Sequence, residues 1–133
     1  TPKADPSGDY AFELFDKSGH ADMLKAKALQ LTGGPESASP PEGRNAYAWV
    51  LDSDQADVFL TYCTNAVLAK AEVDTLQIVQ VPPSLSVGAD YGLIVLGDAP
   101  AQAWHLAMYI LSPAGQAVLR DYGFEASAIP AAQ

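Results

Sequence analysis

The sequence predicts an α/β fold, on three observations. Three short apolar runs, Asp57-Val-Phe-Leu-Thr-Tyr62, Leu76 to Val81 and Tyr91-Gly-Leu-Ile-Val-Leu96, read as strands of the kind buried on both faces. Between and around them lie segments whose apolar residues recur at helical spacing. Gly, Pro, Ser and Asp cluster at the joints, so that strands alternate with helices as α/β organisation requires. At 133 residues and 49% hydrophobic, the chain is long enough for one domain with a core and short for two.

Taken in order, Asp5-Pro6 announces the first helix, because Asp accepts from free first-turn amides and Pro suits the first helical position. Tyr10, Ala11, Leu14 and Phe15 follow at helical spacing until Ser18-Gly19 stops the run. A second helix is expected from about Ala21 to Leu31, ending at Gly33-Gly34, and residues 33–43 read as loop. A third, from about Asn45 to Asp54, carries Ala46, Trp49 and Val50 as its apolar stripe. The strand 57–62, a short helix after Cys63 and the strand 76–81 then form a strand–helix–strand unit. Pro82-Pro83 stops both helix and central-strand pairing, so a change of sheet or lobe is expected there, dividing the chain into 1–83 and 84–133. Beyond it come the strand 91–96, a helix opened by Asp98 and Pro100 that runs through Ile110, and another opened by Ser112-Pro113 and closed by Gly123. The alanine-rich tail after Phe124 is expected to fray.

Composition excludes several classes. Sixteen acidic residues against seven basic ones give a net charge of -9 and a pI near 4.3, with no Lys/Arg cluster. Nucleic acid is therefore not an expected partner, since it requires a basic footprint. Acidic bulk charge leaves a small anion possible, because local dipoles at a site outweigh distant screened charges. Cys63 is alone and His20 and His105 are the two histidines, so neither an intramolecular disulfide nor Cys/His metal spacing is present. No apolar run reaches the roughly 20 residues of a membrane helix. Thr1-Pro2 carries neither an initiator Met nor a leader, as expected of a processed, cleaved or cut start.

Three strands against six helices is a poor ratio, because strands this apolar need neighbours on their edges and helices on both faces. The motifs offer an explanation. Asp-Pro-Ser-Gly-Asp-Tyr at 5–10, Gly-Arg-Asn-Ala-Tyr-Ala-Trp at 43–49 and Ala-Asp-Val-Phe-Leu-Thr-Tyr-Cys-Thr-Asn-Ala at 56–66 resemble the periplasmic molybdate-binding proteins of ABC importers. So do Val87-Gly-Ala-Asp-Tyr-Gly92, Leu111-Ser-Pro-Ala-Gly-Gln116 and Asp121-Tyr-Gly-Phe124. The resemblance covers nearly the whole chain, through the order and spacing of motifs that are individually weak.

What the resemblance implies is a partial type II periplasmic-binding fold, in which two α/β lobes close on a ligand. Residues 1–83 would belong to the second lobe and 84–133 would return to the first, with the family's N-terminal half absent. It further implies a binder of a tetrahedral oxyanion, molybdate or tungstate, working in the periplasm with a membrane permease, with no catalysis and no cofactor. The missing half, or another copy of the chain, would be a further partner.

The positions that match the family's ligand contacts are Ser7, Arg44, Asn45 and Tyr62. Helix-start amides and hydroxyls suit a dianion because fixed dipoles replace its hydration shell. Each residue has a plainer role beside this one. Ser7 is otherwise a polar first-turn residue, and Asn45 a helix cap. Arg44 departs from the family pattern: turned inward it would favour phosphate-like or carboxylate ligands, and turned outward it is a solvated charge. Tyr62, at the carboxyl end of a strand where α/β folds place ligands, is otherwise a core tyrosine with its hydroxyl at the rim. Thr64 and Asn65 read as caps of the next helix, and Cys63 as a small buried hydrophobe.

Ser7, Asp9 and His20 are triad residue types, but no nucleophile-elbow glycines flank the serine, and Asp52 and Asp54 read as solvated charges. An interaction module, oligomerising through open strand edges, is the remaining alternative.

Overall fold

The computed structural model describes residues 1–125, and the expectation for the alanine-rich tail falls outside them. Six helices make up the regular structure: α1 (Pro6–Lys17), α2 (Ala21–Lys27), α3 (Ala46–Asp52), α4 (Cys63–Glu72), α5 (Ala101–Leu111) and α6 (Pro113–Asp121). Consecutive helices pack in pairs, α1 on α2, α3 on α4 and α5 on α6. The chain divides into two compact units, Thr1–Gly88 and a second beginning at Ala89.

In the first unit, α1 begins where the Asp5 carboxylate accepts from the Ser7 amide at 3.1 Å, and ends at Ser18 before Gly19, whose φ of 73° a residue with a Cβ rarely adopts. Phe15 is its buried anchor. Lys25 ties α2 to α1, its ammonium 5.4 Å from the centre of the Phe12 ring and 2.7 Å from Asp16. The helix α2 stops at Lys27, one turn short of the expected Leu31, and residues 28–31 run on to line a cavity instead. Met23 of α2 is exposed. Asn45 caps α3 through bonds from the Tyr47 and Ala48 amides at 3.0 and 3.1 Å, and Ala48 and Val50 are buried completely or nearly so. Lys70 satisfies the far end of α4's region by donating to the carbonyls of Asp74 and Leu76 at 3.0 and 2.8 Å.

In the second unit, the Ser112-Pro-Ala-Gly-Gln116 run makes a tight corner between α5 and α6. Ser112 Oγ donates to the Tyr109 carbonyl at 2.6 Å and accepts from the Gly115 amide at 3.2 Å, while Gln116 donates to the Ile110 carbonyl at 2.9 Å. A Cβ on Gly115 would collide with the Tyr109 carbonyl, so the corner requires glycine there. Tyr91 meets Phe124 edge-on at 5.3 Å.

None of the three expected strands forms a ladder among the described residues. The segments 57–62, 76–81 and 91–96 are outside any helix, and no backbone amide of 57–61, 77–81 or 91–96 donates to a backbone carbonyl among those residues. Burial fails with the pairing: Val58, Val79 and Ile94 are 77%, 83% and 85% exposed. Where α/β was expected, the described chain is helical with irregular connections, because a strand draws its hydrogen bonds from a neighbour and a helix draws them from itself. Cys63 corrects a second expectation. It is the first residue of α4 and is exposed, since the segment before it has no covering layer to continue over it.

Candidate functional site

The second turn of α1 and the residue that precedes α4 meet through aromatic rings. Ser7 and Tyr10 lie three residues apart on α1, hence on one face, and Tyr10 meets Tyr62 edge-on with ring centroids 6.1 Å apart. Tyr47 packs edge-on against Phe59 at 5.1 Å and bonds the Thr61 side chain, which in turn accepts from Asn65 at 3.1 Å. Burial raises the Tyr47 phenol above its ordinary value of 10.0, the Thr61 bond opposes that, and the nearby Asp5 carboxylate adds to it.

Ser7 is held by Asp5, which accepts from both its amide and, at 2.8 Å, its hydroxyl. Gly33 sits so close to Asp5 that any Cβ would strike the carboxylate, which fixes the 33–34 loop over the cap. Beside them opens a cavity of about 820 Å³, bounded by α1, α2, the 28–32 run and residues 54–60. Its wall includes Ser7 and is otherwise mostly apolar, with Phe15, Leu24 and Leu31 contributing; Arg44, Asn45 and Tyr62 are not on it.

Arg44 and Asn45 are engaged elsewhere. The Arg44 guanidinium donates to Glu72 through Nε at 2.5 Å and to Asp52 through Nη2 at 2.8 Å, and the Asn45 amide donates to the second Glu72 oxygen at 2.7 Å. Glu72 thereby accepts two charge-assisted or backbone bonds, which hold its carboxyl below the ordinary value near 4.5, the Asn45 amide first and Arg44 second. Hydrogen bonds to Asp52 and Glu72 raise Arg44 in turn. Glu72 ends α4 and Tyr62 precedes its first residue, so about 15 Å of helix separates them at ~1.5 Å per residue. The structure thus pairs Tyr62 with Tyr10 and Ser7 with Asp5, and gathers Arg44 and Asn45 around Glu72.

Among the described residues no group of three or more His, Cys, Asp or Glu could hold a metal ion, and no helix is long and apolar enough to cross a membrane.

Residues 1–125 match the family described as bacterial extracellular solute-binding protein. The chain belongs to that family. This solute-binding chain is also 36% identical over 130 residues to an uncharacterized protein of Pasteurella multocida (strain Pm70), an alignment covering 93% of the chain and 52% of the relative. It therefore spans about half the length of the curated relative it matches. No solved structure matches it.

The residues that sequence reasoning missed in the solute-binding chain are the carboxylates that sit on its helix-start donors. Asp5 was visible as a cap, but its second bond to the Ser7 hydroxyl was not. Glu72 lies 27 residues from Asn45, and no local spacing signals that pairing.

Proposed function

We propose that this chain is part of the solute-binding component of an ABC importer, holding a tetrahedral oxyanion, molybdate or tungstate before others, between two type II α/β lobes in the periplasm. Residues 1–83 belong to the second lobe and 84–133 return to the first. The observation that most supports the reading is the contact of Tyr10, in the second turn of α1, with Tyr62 before α4. The family match supports the binding role, and helix starts of this kind favour an anion.

In this reading Ser7 and Tyr62 donate hydroxyls and Asn45 offers its backbone amide. Arg44 joins only if an anion draws it from Asp52 and Glu72. A dianion competes with the protein's own carboxylates for these donors, with Asp5 for Ser7 and with Glu72 for Asn45. The protein binds rather than catalyses, and transport follows from lobe closure that offers a surface to the membrane permease. Calorimetry on the chain combined with the remaining half of the protein, against molybdate, tungstate, sulfate and phosphate, tests this. Expected is a preference for the first two that falls about fivefold in Ser7→Ala or Tyr62→Phe, the loss of one hydrogen bond of about 1 kcal/mol. Absence of binding, or equal binding of sulfate and phosphate, removes the assignment.

A further inference from the structure

The run from Phe59 to Tyr62 receives contacts from three helices. Phe59 meets the Tyr47 ring of α3 edge-on at 5.1 Å, and Tyr62 meets the Tyr10 ring of α1 at 6.1 Å. Between them Thr61 is hydrogen-bonded to the Tyr47 hydroxyl and accepts from Asn65 of α4 at 3.1 Å. No backbone amide of 57–61 donates to a backbone carbonyl among the described residues, so these side chains are what locate the run.

Tyr47 has two holds on it. Its ring packs on Phe59 and its hydroxyl engages Thr61, and a single planar peptide joins Thr61 to Tyr62, so a change in one is passed to the next. Asn65 uses the same Thr61 oxygen, and one threonine hydroxyl therefore ties the second residue of α3 to the first turn of α4. Tyr47, Phe59, Thr61, Tyr62 and Asn65 are all partly buried, where water competes less for the bonds they make. Burial also raises the Tyr47 phenol above its ordinary 10.0, so the hydroxyl stays protonated at neutral pH.

We propose that Tyr47 is the positioning residue for Tyr62: its hydroxyl, acting through Thr61, holds the neighbouring phenol where it stands against Tyr10. The consequence for a ligand rests on the reading of Tyr62 as an oxyanion donor given above; the placement of Tyr62 does not. Hydrogen bonds weaken steeply with distance and angle, so a displaced phenol is a poorer donor, and Tyr47 sets affinity without touching the solute.

Two measurements test this. In the isolated chain, NMR reads the nuclear Overhauser contact between the Tyr10 and Tyr62 rings. Tyr47→Phe keeps the ring on Phe59 and removes only the hydroxyl, and Thr61→Val removes its partner; each should weaken that contact. Thr61→Ser, which keeps the hydroxyl, should retain it. In the chain combined with the remaining half of the protein, molybdate calorimetry should show Tyr47→Phe lowering affinity about threefold, less than loss of the Tyr62 hydroxyl itself, because the donor is misplaced rather than deleted. Thr61→Val should lower it equally, and Tyr47→Phe should add nothing in a Thr61→Val or Tyr62→Phe background, since residues acting as one unit are not additive. An Overhauser contact unchanged in Tyr47→Phe overturns the proposal. So does an affinity equal to the parent's, or a loss that persists in the Tyr62→Phe background, which would mark a general structural weakening. If the parent binds no oxyanion, the proposed ligand falls and the Overhauser contact by itself decides the role of Tyr47.

Discussion

Glu72 closes the end of α4 onto the start of α3 by accepting the Asn45 amide at 2.7 Å, and the same carboxylate takes Arg44 Nε on its other oxygen. An intramolecular carboxylate thus sits on an amide beside an arginine, which are donors to the anion in the reading proposed above.

That pairing makes stability depend on pH in a defined window. Glu72's folded-state value lies below its unfolded one, so its contribution is complete above about 4.5 and is lost as pH falls through the lower folded value. Glu72→Gln should therefore lower the melting temperature at pH 7, and the gap to the parent should close as pH drops below 4. Thermal melts from pH 3 to 7 check this; a gap that stays constant would show that the carboxylate's charge is irrelevant.

Asp5 separates capping from charge. Asparagine caps as well as aspartate, so Asp5→Asn should leave stability within about 0.5 kcal/mol, whereas Asp5→Ala should cost about 1 kcal/mol by losing the bond to the Ser7 amide. Urea titrations measure both. In the reconstituted pair, Asp5→Asn should also strengthen oxyanion binding about fivefold, since one like charge at close range in water is worth ~1 kcal/mol.

The corner at Gly115 should resist enlargement. Gly115→Ala drives a methyl into the Tyr109 carbonyl and should destabilise the second unit by about 1–3 kcal/mol. Trp104 lies in that unit and Trp49 in the other, so fluorescence of a Trp49→Phe background reports it. Equal stability of the alanine variant would mean that the α5–α6 corner can shift freely.

The isolated chain should bind molybdate weakly or not at all. In the proposed two-lobed site, donors from one lobe alone would leave half of an oxyanion's oxygens to water. Titration calorimetry should show no micromolar event, and a dissociation constant in that range would mean that these residues suffice alone.

Local chemistry in the sequence was enough to place three of the helix starts. Asp5-Pro6, Asn45 and Ser112-Pro113 each stand at a helix start, because capping depends on residues two or three apart. The motif order likewise pointed to a solute-binding family before any coordinates. Tertiary structure alone decided the rest. Glu72's hold on Arg44 and Asn45, the meeting of Tyr10 with Tyr62, and the exposure of Cys63 join or separate residues far apart in the chain, and no periodicity encodes them. The strand segments show why the line falls there. Their apolar pattern is written in residues 57–62 and 91–96, but a strand exists only when another backbone lies beside it, and a sequence cannot place that neighbour by itself.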